Sequence, residues 1–376
     1  MTGVSPALDR AWSWAEARAF SGFDPYDALT SPLLGALHRV FGRPAGIVAT
    51  QLLRRSPIDA RKVLGIRPAS NAKALGLFLS AAGRTGREHA ARALANQLRA
   101  MVPPGWGVPC WGYPFPWQAR AFYLPAGTPT VVATSFVGEG FIDAYERLRD
   151  PRDLETALGA CRFVLEKLQR TEDATGVCLS YSPLDRSAVY NASVLGARLL
   201  VRAGVASGRS DLIDAARPLV AYVLARQHED GSWSYGEASF HRWIDSFHTG
   251  FVLGALDVFA RAAGDAAARS AVDRGARFYV ERFFGPEGEP YYYSDHPYPY
   301  DVHSAAQAAI TLTQLGERAT ASRVGRFLIE RMLEPDGRFI YQIRRTHRVR
   351  IAYMRWSQAW GVRGLAAIVE AGLDSA

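Results

Sequence analysis

The sequence predicts an all-α fold, an (α/α)6 toroid of six helical hairpins with short extended returns in its loops. Three observations support this prediction. Six apolar, small-residue-rich segments recur at a nearly regular spacing, amphipathic arginine-rich segments alternate with them, and glycine turns follow the amphipathic segments. Alternating inner and outer helices are typical of an open solenoid or a closed ring, and six units favour the ring.

The inner helices are predicted where the six apolar segments start, and each segment starts with a serine. The starting residues are Ser70, Ser135, Ser193, Ser246, Ser304 and Ser357. From Ser135 onward, the spacing alternates between 58 and 53 residues. These segments carry few charges around their circumference, which indicates helices that are packed on several sides.

The outer helices are predicted between the inner ones and are more amphipathic. Five of them span approximately 87–101, 153–170, 209–227, 268–284 and 318–333. In the second, Leu158, Cys161, Val164, Leu165 and Leu168 share one face while most charges lie opposite. This pattern is expected for a helix with one face in water.

Glycine turns and an N-terminal segment complete the predicted ring. Gly176, Gly231, Gly288 and Gly337 follow outer helices at equivalent places, where glycine readily adopts the positive φ of a turn. The apolar segment Ser31–Arg55 is expected to be the sixth outer helix and to close the ring against the C-terminal helix. Because no linker rich in Pro, Gly or Ser divides the chain, residues 1–376 are predicted to form a single toroid domain, with 1–69 as its N-terminal closing segment.

Composition limits the class of protein. The chain has 376 residues, of which 48% are hydrophobic and 21% charged, as is ordinary for a globular protein. Three cysteines without CxxC spacing argue against a disulfide framework and a structural zinc site. No stretch approaches the ~18 apolar residues of a membrane span, and Asp9 and Glu16 interrupt any signal-peptide core. A cytoplasmic location is therefore expected.

The net charge of +8 has two interpretations. It is consistent with general solubility in an arginine-rich chain, or with attraction to an anionic ligand such as a uronate, a sugar nucleotide or a polyprenyl phosphate. Nucleic acid is not an expected partner, because the sequence contains no helix-turn-helix, zinc finger or aromatic–basic platform.

The loops that lead into the inner helices hold most of the tryptophans and tyrosines and are predicted to share one mouth of the ring. Aromatic faces stack on sugar rings, and nearby polar groups bind hydroxyls or carboxylates. The candidate substrate-binding residues are Trp111, Tyr113, Trp117, Arg120, Tyr181, Asp185, Asn191, Trp243, Arg355 and Trp356.

The same loops supply the candidate catalytic residues. Asp245 and Asp301 are candidates for the general acid and base of glycoside hydrolysis, which needs two carboxyl groups about 5–10 Å apart. His248, His303 and Tyr353 are candidate bases for an epimerase or lyase, with Arg355 holding a substrate carboxylate. The alternative is that the two aspartates only cap helices and that the histidines are hydrogen-bonded core residues. The histidine spacing argues against a metal site, and no cofactor is expected.

Two resemblances add to this interpretation. Residues 227–233, QHEDGSW, resemble the QW repeats of squalene-hopene cyclases, although the DxDD acid motif of those enzymes is absent. Nearly the whole chain resembles a family of bacterial toroid proteins from polysaccharide-biosynthesis settings, through GFDPYDALTSPL, NAKALGLFL, WGYPFPWQ, TPTVVATSFV, SYSPLD, NASVLGA, QHEDGSWSYG, WIDSFHTGF, YDVHSAAQA and YMRWSQAW. Some members carry an automatic label of δ-aminolevulinate dehydratase, a TIM-barrel enzyme whose alternating β/α pattern is absent here. More distantly, the architecture is similar to six-hairpin glycosidases, N-acylglucosamine 2-epimerases and the helical domain of glucuronyl C5-epimerases.

The sequence thus predicts a carbohydrate-active enzyme of glycoside hydrolase, lyase or uronate-epimerase type. Its expected substrate is a glycan, or a sugar-nucleotide or lipid-linked precursor, in polysaccharide biosynthesis. Two alternatives stay open. A terpenoid- or prenyl-processing enzyme would have an apolar central cavity, and a non-catalytic glycan-binding protein would lack a competent acid/base pair.

Overall fold

The computed structural model describes residues 3–374, in which thirteen α-helices alternate with short strands. The helices are α1 (Val4–Glu16), α2 (Pro32–Arg55), α3 (Ala72–Arg84), α4 (Glu88–Ala100), α5 (Val131–Leu148), α6 (Pro151–Glu166), α7 (Tyr190–Ser207), α8 (Ser210–Leu224), α9 (Ser246–Ala263), α10 (Ala266–Arg282), α11 (Val302–Leu315), α12 (Arg318–Phe327) and α13 (Trp360–Glu370). Short π-helical segments, Leu328–Met332 and Met354–Ala359, follow α12 and precede α13.

The inner helices α3, α5, α7, α9, α11 and α13 form a closed ring. Each packs against the next, and α13 packs against α3. The predicted (α/α)6 toroid is therefore confirmed. Small residues permit the close packing: a Cβ added to Gly140 of α5 would lie 2.5 Å from the carbonyl oxygen of Gly76 on α3. This approach of two backbones explains why the inner helices are rich in glycine and alanine.

The sixth outer helix is α1, so the expectation that Ser31–Arg55 takes this place is wrong. Helix α1 packs against α13 in the way that the other outer helices pack against their inner partners. The glycine turns show the same relationship. A Cβ on Gly337 would lie 2.4 Å from the Arg10 oxygen of α1, just as one on Gly231 would lie 2.6 Å from the Arg274 oxygen of α10. Each turn thus abuts the next outer helix around the ring.

Helix α2 instead lies across the mouth of the ring. It consists of two segments that meet at Gly42, whose φ of 65° breaks the helix, and Pro44 follows at the start of the second segment. The chain enters and leaves this excursion through strand β1 (Ser21–Gly22), which pairs antiparallel with β2 (Ala69–Ser70).

The remaining strands are the predicted short extended returns. They are β3 (Trp117–Gln118), β4 (Tyr123–Leu124), β5 (Arg170–Asp173), β6 (Gly176–Leu179), β7 (Tyr300–Asp301), β8 (Gln342–Ile343) and β9 (Arg348–Val349). Antiparallel pairing joins β3 to β4, β5 to β6, and β7 through β8 to β9. Among the described residues, no helix is long and apolar enough to cross a membrane.

Candidate functional site

A cavity of about 750 Å³ opens at the mouth of the ring, between α2 and the N-terminal ends of the inner helices. Its size suits a small-molecule ligand. Eleven of the residues predicted to bind or transform a substrate line this cavity: Tyr113, Trp117, Arg120, Tyr181, Asn191, Trp243, Asp245, His248, His303, Arg355 and Trp356. The loops that lead into the inner helices therefore form one concave surface, as the sequence predicted.

Aromatic rings form much of the cavity wall. Trp117 lies at the centre of one cluster, with ring centroids 5.3 Å from Tyr181 and 5.9 Å from Tyr113. On another side, Tyr235 stacks on Trp243 at 4.5 Å. Flat faces of this kind can pack against the apolar face of a sugar ring.

Asp245 and His248 form a hydrogen-bonded pair on the wall. Asp245 caps α9, because its Oδ1 accepts a hydrogen bond from the backbone N–H of His248 at 2.9 Å. Its Oδ2 accepts one from Trp243 Nε1 at 3.0 Å and lies 2.6 Å from His248 Nδ1. Since a carboxylate only accepts, this contact places the imidazole proton on Nδ1 and leaves Nε2 able to exchange a proton with a ligand. Asp245 thus serves as a helix cap and also orients the imidazole.

His303 occupies the same wall in a different state. It lies in the first turn of α11, is buried, and neither ring nitrogen has a hydrogen-bond partner among the described residues. Its ring stacks on Trp360 at 4.1 Å. Burial holds the pKa of His303 well below its usual range, so the ring is neutral near pH 7. The interpretation as a hydrogen-bonded core histidine does not fit this environment.

The phenyl ring of Phe247 separates the two imidazoles. Its centroid lies 4.0 Å from that of His248 and 4.4 Å from that of His303. The structure therefore places two titratable rings side by side, one held by a carboxylate and one without a partner in residues 3–374.

Arg355 is buried and paired. Its Nε and Nη2 donate to the two carboxylate oxygens of Asp24 at 2.6 and 2.7 Å. Burial opposes the charge of Arg355, but Asp24 outweighs it and raises the pKa of the guanidinium. The N-terminal segment that precedes α2 therefore contributes to the site, with Asp24 behind Arg355 and Tyr26 on the wall.

Lys73 is a functional candidate that sequence reasoning missed. It lies in the first turn of α3, lines the cavity and is only 3% exposed. Burial, and next the charge of Arg355, place the pKa of its amine well below the usual range. A lysine in an inner helix, where few other charges occur, was the available signal.

Three predicted residues lie away from the cavity wall. Trp111 is buried in its hairpin and donates from Nε1 to the Leu98 oxygen at 2.9 Å. Asp185 holds its own loop by accepting from the backbone N–H of Ser182 at 2.7 Å. Tyr353 is fully buried beneath the guanidinium of Arg61, 4.6 Å from the ring centroid. Each of these contacts gives the residue a structural role within the fold.

Asp301 also lies off the wall. It is fully buried and caps α11 by accepting from the His303 backbone N–H at 2.9 Å. Its Oδ2 accepts from Gln342 Nε2 at 2.6 Å and its Oδ1 from Trp356 Nε1 at 3.0 Å. Burial raises its pKa above the usual value. The capping alternative accounts for Asp301, and it does not face Asp245 across the cavity.

Basic side chains surround the cavity mouth. Arg54, Arg55, Arg120 and Arg242 line it, and none of them pairs with a carboxylate in the described part of the chain. Apart from Asp245, the lining contributes one carboxylate, Asp295, which is bound to His296. The mouth therefore carries an excess of positive charge.

Comparisons with known proteins identify relatives of the fold. No protein-family model matches the sequence, and no curated protein matches it. Among solved structures, a cellobiose 2-epimerase from Bacillus thermoamylovorans aligns with a TM-score of 0.65 at 11% identity, over 80% of this chain and 88% of that one. A GH76 α-mannanase from Bacteroides thetaiotaomicron aligns with a TM-score of 0.62 at 13% identity, over 79% and 86%. A D-mannose isomerase aligns with a TM-score of 0.60 at 11% identity, over 80% and 86%. At these identities, the likeness shows that the chain shares its fold with a group of structures that includes sugar epimerases, a sugar isomerase and glycoside hydrolases.

Proposed function

We propose that the protein is a carbohydrate-active enzyme of the epimerase or isomerase type. It would move a proton at the carbon next to the carbonyl group of a sugar. The observation that carries the proposal is the pair of imidazoles on one aromatic wall, His248 held by Asp245 and His303 neutral and without a partner in the described chain. The epimerases and isomerase among the structural neighbours are consistent with this proposal.

The two histidines suit complementary roles. His248 Nε2 would take the proton from carbon, and Asp245 would stabilise the imidazolium that forms. A neutral imidazole such as His303 can donate a hydrogen bond to the carbonyl oxygen and stabilise the negative charge that develops there. The acid/base function thus falls on imidazoles and not on a carboxylate pair.

Hydrolysis of a glycosidic bond is less well supported. It needs two carboxyl groups facing the bond, about 5–10 Å apart. Asp301 is engaged by three hydrogen-bond donors behind the wall, and Asp295 is paired with a histidine at an exposed position. Asp245 therefore has no carboxylate partner of this kind among the lining residues.

The charge of the mouth supports an anionic sugar as the substrate. Arg54, Arg55, Arg120 and Arg242, which pair with no carboxylate in the described chain, would bind a phosphate, a diphosphate or a carboxylate. A uronate, a sugar nucleotide or a lipid-linked sugar in polysaccharide biosynthesis would satisfy this requirement. The polar groups on the wall, including the unpartnered amide nitrogen of Asn191, disfavour the terpenoid alternative because a hydrocarbon would leave them unsatisfied.

The test is hydrogen exchange at carbon. The purified protein is incubated in D2O with reducing sugars, uronates, sugar phosphates and sugar nucleotides, and proton NMR follows loss of the signal next to the carbonyl. We expect exchange with at least one class, and a loss of about 10²–10⁴-fold in His248→Gln. His89→Gln, on the exposed face of α4, is the matched control. Absence of exchange with every class, or a native rate in His248→Gln, would contradict the proposal.

A further inference from the structure

Lys73 is unusual in this chain before its surroundings are considered. The sequence contains only three lysines, Lys62, Lys73 and Lys167, among 44 basic lysine and arginine residues. Lys62 is exposed and Lys167 is partly exposed at the end of α6. Where the protein needs positive charge it uses arginine, so a lysine inside the ring indicates a requirement for an amine.

The amine of Lys73 lies among aromatic rings. Its Nζ is 4.4 Å from the centroid of Phe136, 5.3 Å from that of Trp360 and 5.7 Å from that of Phe251. No described residue accepts a hydrogen bond from Nζ or pairs with it as a carboxylate. The nearby cation Arg355 repels a protonated amine, and its partner Asp24 only partly offsets this effect. Although aromatic faces attract a cation, burial beside Arg355 and without a carboxylate partner in the described chain favours the neutral amine, which is a nucleophile.

The proton-transfer groups lie next to this amine. The Phe251 ring centroid is 5.7 Å from Lys73 Nζ, 5.9 Å from the His248 ring and 5.8 Å from the His303 ring. All three groups line the same cavity. A small ligand that contacts the face of Phe251 would therefore meet a nucleophile and two acid/base groups together.

We propose that Lys73 binds the substrate covalently, as an iminium at the carbonyl carbon of an open-chain reducing sugar. The lone pair of Nζ attacks the carbonyl carbon, a C–N bond forms, and the carbonyl π pair moves to oxygen. One proton moves from nitrogen to oxygen and a second reaches the same oxygen from solvent. The C–O bond then breaks, oxygen leaves as water, and the nitrogen lone pair forms the C=N bond of the iminium. This inference rests on the proposed function, because it requires a sugar with a free aldehyde or ketone.

The iminium would assist the reaction that follows. When His248 removes the proton from the neighbouring carbon, the C–H electron pair forms a C=C bond and the C=N π pair moves to nitrogen, which gives a neutral enamine. Return of a proton to the other face of that carbon, followed by addition of water at the C=N bond, releases the epimer and restores the lysine. No oxidant or reductant takes part. The substrate class is thereby restricted to sugars with a free reducing end, such as a free uronate or sugar phosphate, and excludes sugar nucleotides and lipid-linked sugars.

Reductive trapping tests the proposal on the full chain. The protein is treated at neutral pH with D-glyceraldehyde and sodium cyanoborohydride, and the three lysines are compared by peptide mass spectrometry. Lys73 should be modified on the order of tenfold faster than Lys62 and Lys167, because the neutral amine is the nucleophile. Equal or slower modification of Lys73 would overturn the proposal. Denaturation in urea before trapping should abolish the preference.

The D2O exchange assay separates this inference from the proposed function. Lys73→Met should unfold at neutral pH at a melting temperature no lower than that of the native protein, and should lose exchange by about 10²-fold or more. If Lys73→Met exchanges at the native rate and Lys73 of the native protein is not selectively trapped, the iminium proposal is overturned and the proposed function stands. Selective trapping of Lys73 without exchange on any sugar would support the reactive amine and contradict the proposed function.

A second, independent observation concerns the outer surface of α2 and the segment after it. Thirteen large hydrophobic side chains are exposed in the described chain, and eight of them lie between residues 33 and 63. They are Leu33, Leu37, Val40, Phe41, Val48, Leu52, Ile58 and Val63. This concentration, which we term the α2 apolar surface, is unusual for a face in contact with water alone.

The charges on α2 are all positive. Between residues 33 and 63 the exposed charged residues are Arg39, Arg43, Arg55 and Lys62, against one aspartate, Asp59. Leu33, Leu37 and Phe41 recur at intervals of four residues, which places them on one side of the first segment. We infer that the α2 apolar surface binds an anionic lipid surface, since apolar and mostly basic side chains complement it. Ile47, Thr50 and Gln51 of the second segment of α2 line the cavity, so binding would place the cavity near the lipid.

Vesicle sedimentation tests this second inference. Full-length protein should sediment with vesicles of phosphatidylglycerol and phosphatidylcholine, and binding should weaken with salt. The triple variant Leu37→Gln, Phe41→Gln and Leu52→Gln should bind on the order of tenfold less. Leu184→Gln with Val205→Gln, which changes exposed hydrophobic residues elsewhere, is the matched control. Undiminished binding of the triple variant would overturn the inference. The inference would also be overturned if the native protein were a dimer and the triple variant a monomer, because the surface would then join two copies of the chain.

Discussion

Replacing Lys73 with methionine removes the buried amine but keeps most of its apolar length. Because burial lowers the pKa of Lys73 well below 10.5 in the folded protein, the folded state holds a neutral amine over a wide range of pH. The unfolded chain binds a proton there until the pH reaches about 10.5. Within this range, the unfolded state therefore binds one more proton than the folded state, and the free energy of unfolding of the native protein rises with pH.

The expected magnitude follows from one proton. A difference of one bound proton changes the free energy of unfolding by about 1.4 kcal/mol per pH unit. Between the folded and the unfolded pKa of Lys73, the native protein should therefore gain up to about 1.4 kcal/mol per pH unit relative to Lys73→Met. Other titrating groups, such as His303 and the buried cysteines, are common to both proteins and cancel in the difference.

Denaturant unfolding at several pH values measures this difference. The native protein should be the less stable of the two near neutral pH and should approach or exceed Lys73→Met at alkaline pH. Lys62→Met, at an exposed position, should show no pH-dependent difference from the native protein. Parallel stability curves for the native protein and Lys73→Met would refute the reasoning, because they would show that Lys73 keeps its proton in the folded state.

Three further substitutions test other parts of the structure. Asp245→Asn should lower the D2O exchange rate by about 10²-fold or more while the fold persists, because an amide cannot stabilise the imidazolium beside it; a native rate would exclude the carboxylate from catalysis. Gly140→Ala should destabilise the protein by about 1–3 kcal/mol in thermal unfolding, because its Cβ would lie 2.5 Å from the Gly76 oxygen; an unchanged melting temperature would show that α3 and α5 adjust without cost. Arg355→Met should cost about 3–5 kcal/mol in denaturant unfolding at neutral pH, because Asp24 would stay buried without its cation; a loss below about 1 kcal/mol would contradict this explanation.

Most of the fold could be predicted from the sequence repeat, whereas the helix that closes the ring could not. The regular serine spacing depends on interactions within each hairpin, which a local pattern records. Helices α1 and α2 are both apolar enough to pack against α13, and periodicity does not show which of them does so. The fit between the Gly337 turn and Arg10 of α1 decides the matter, and that contact joins residues more than 300 positions apart. That residues 1–376 form a single domain stays a prediction.

The site was predictable as a region, but the roles of its polar residues were not. Trp117, Tyr181 and Trp243 could be placed at one mouth because their loops occupy equivalent positions in successive repeats. Lys73 and Arg54 could not be placed there, because no local sequence pattern shows that a single charged residue in α3 or in the kinked helix α2 faces a cavity. Their position depends on the packing of α3 and on the course of α2 across the mouth.

The two aspartate–histidine pairs show where a sharper sequence argument was available. Asp245 and Asp301 both cap inner helices, and each is followed closely by a histidine. The interval is three residues for His248 and two for His303. On a helix, residues three apart lie on one side while residues two apart do not face each other. Accordingly, His248 Nδ1 reaches the Asp245 carboxylate, whereas the His303 ring has no contact with Asp301 and lies on the cavity wall beside Trp360. One additional residue in the spacing thus lets the first histidine bond the aspartate carboxylate and leaves the second without a hydrogen-bond partner in the described chain. The proton transfer that we propose would use this asymmetry.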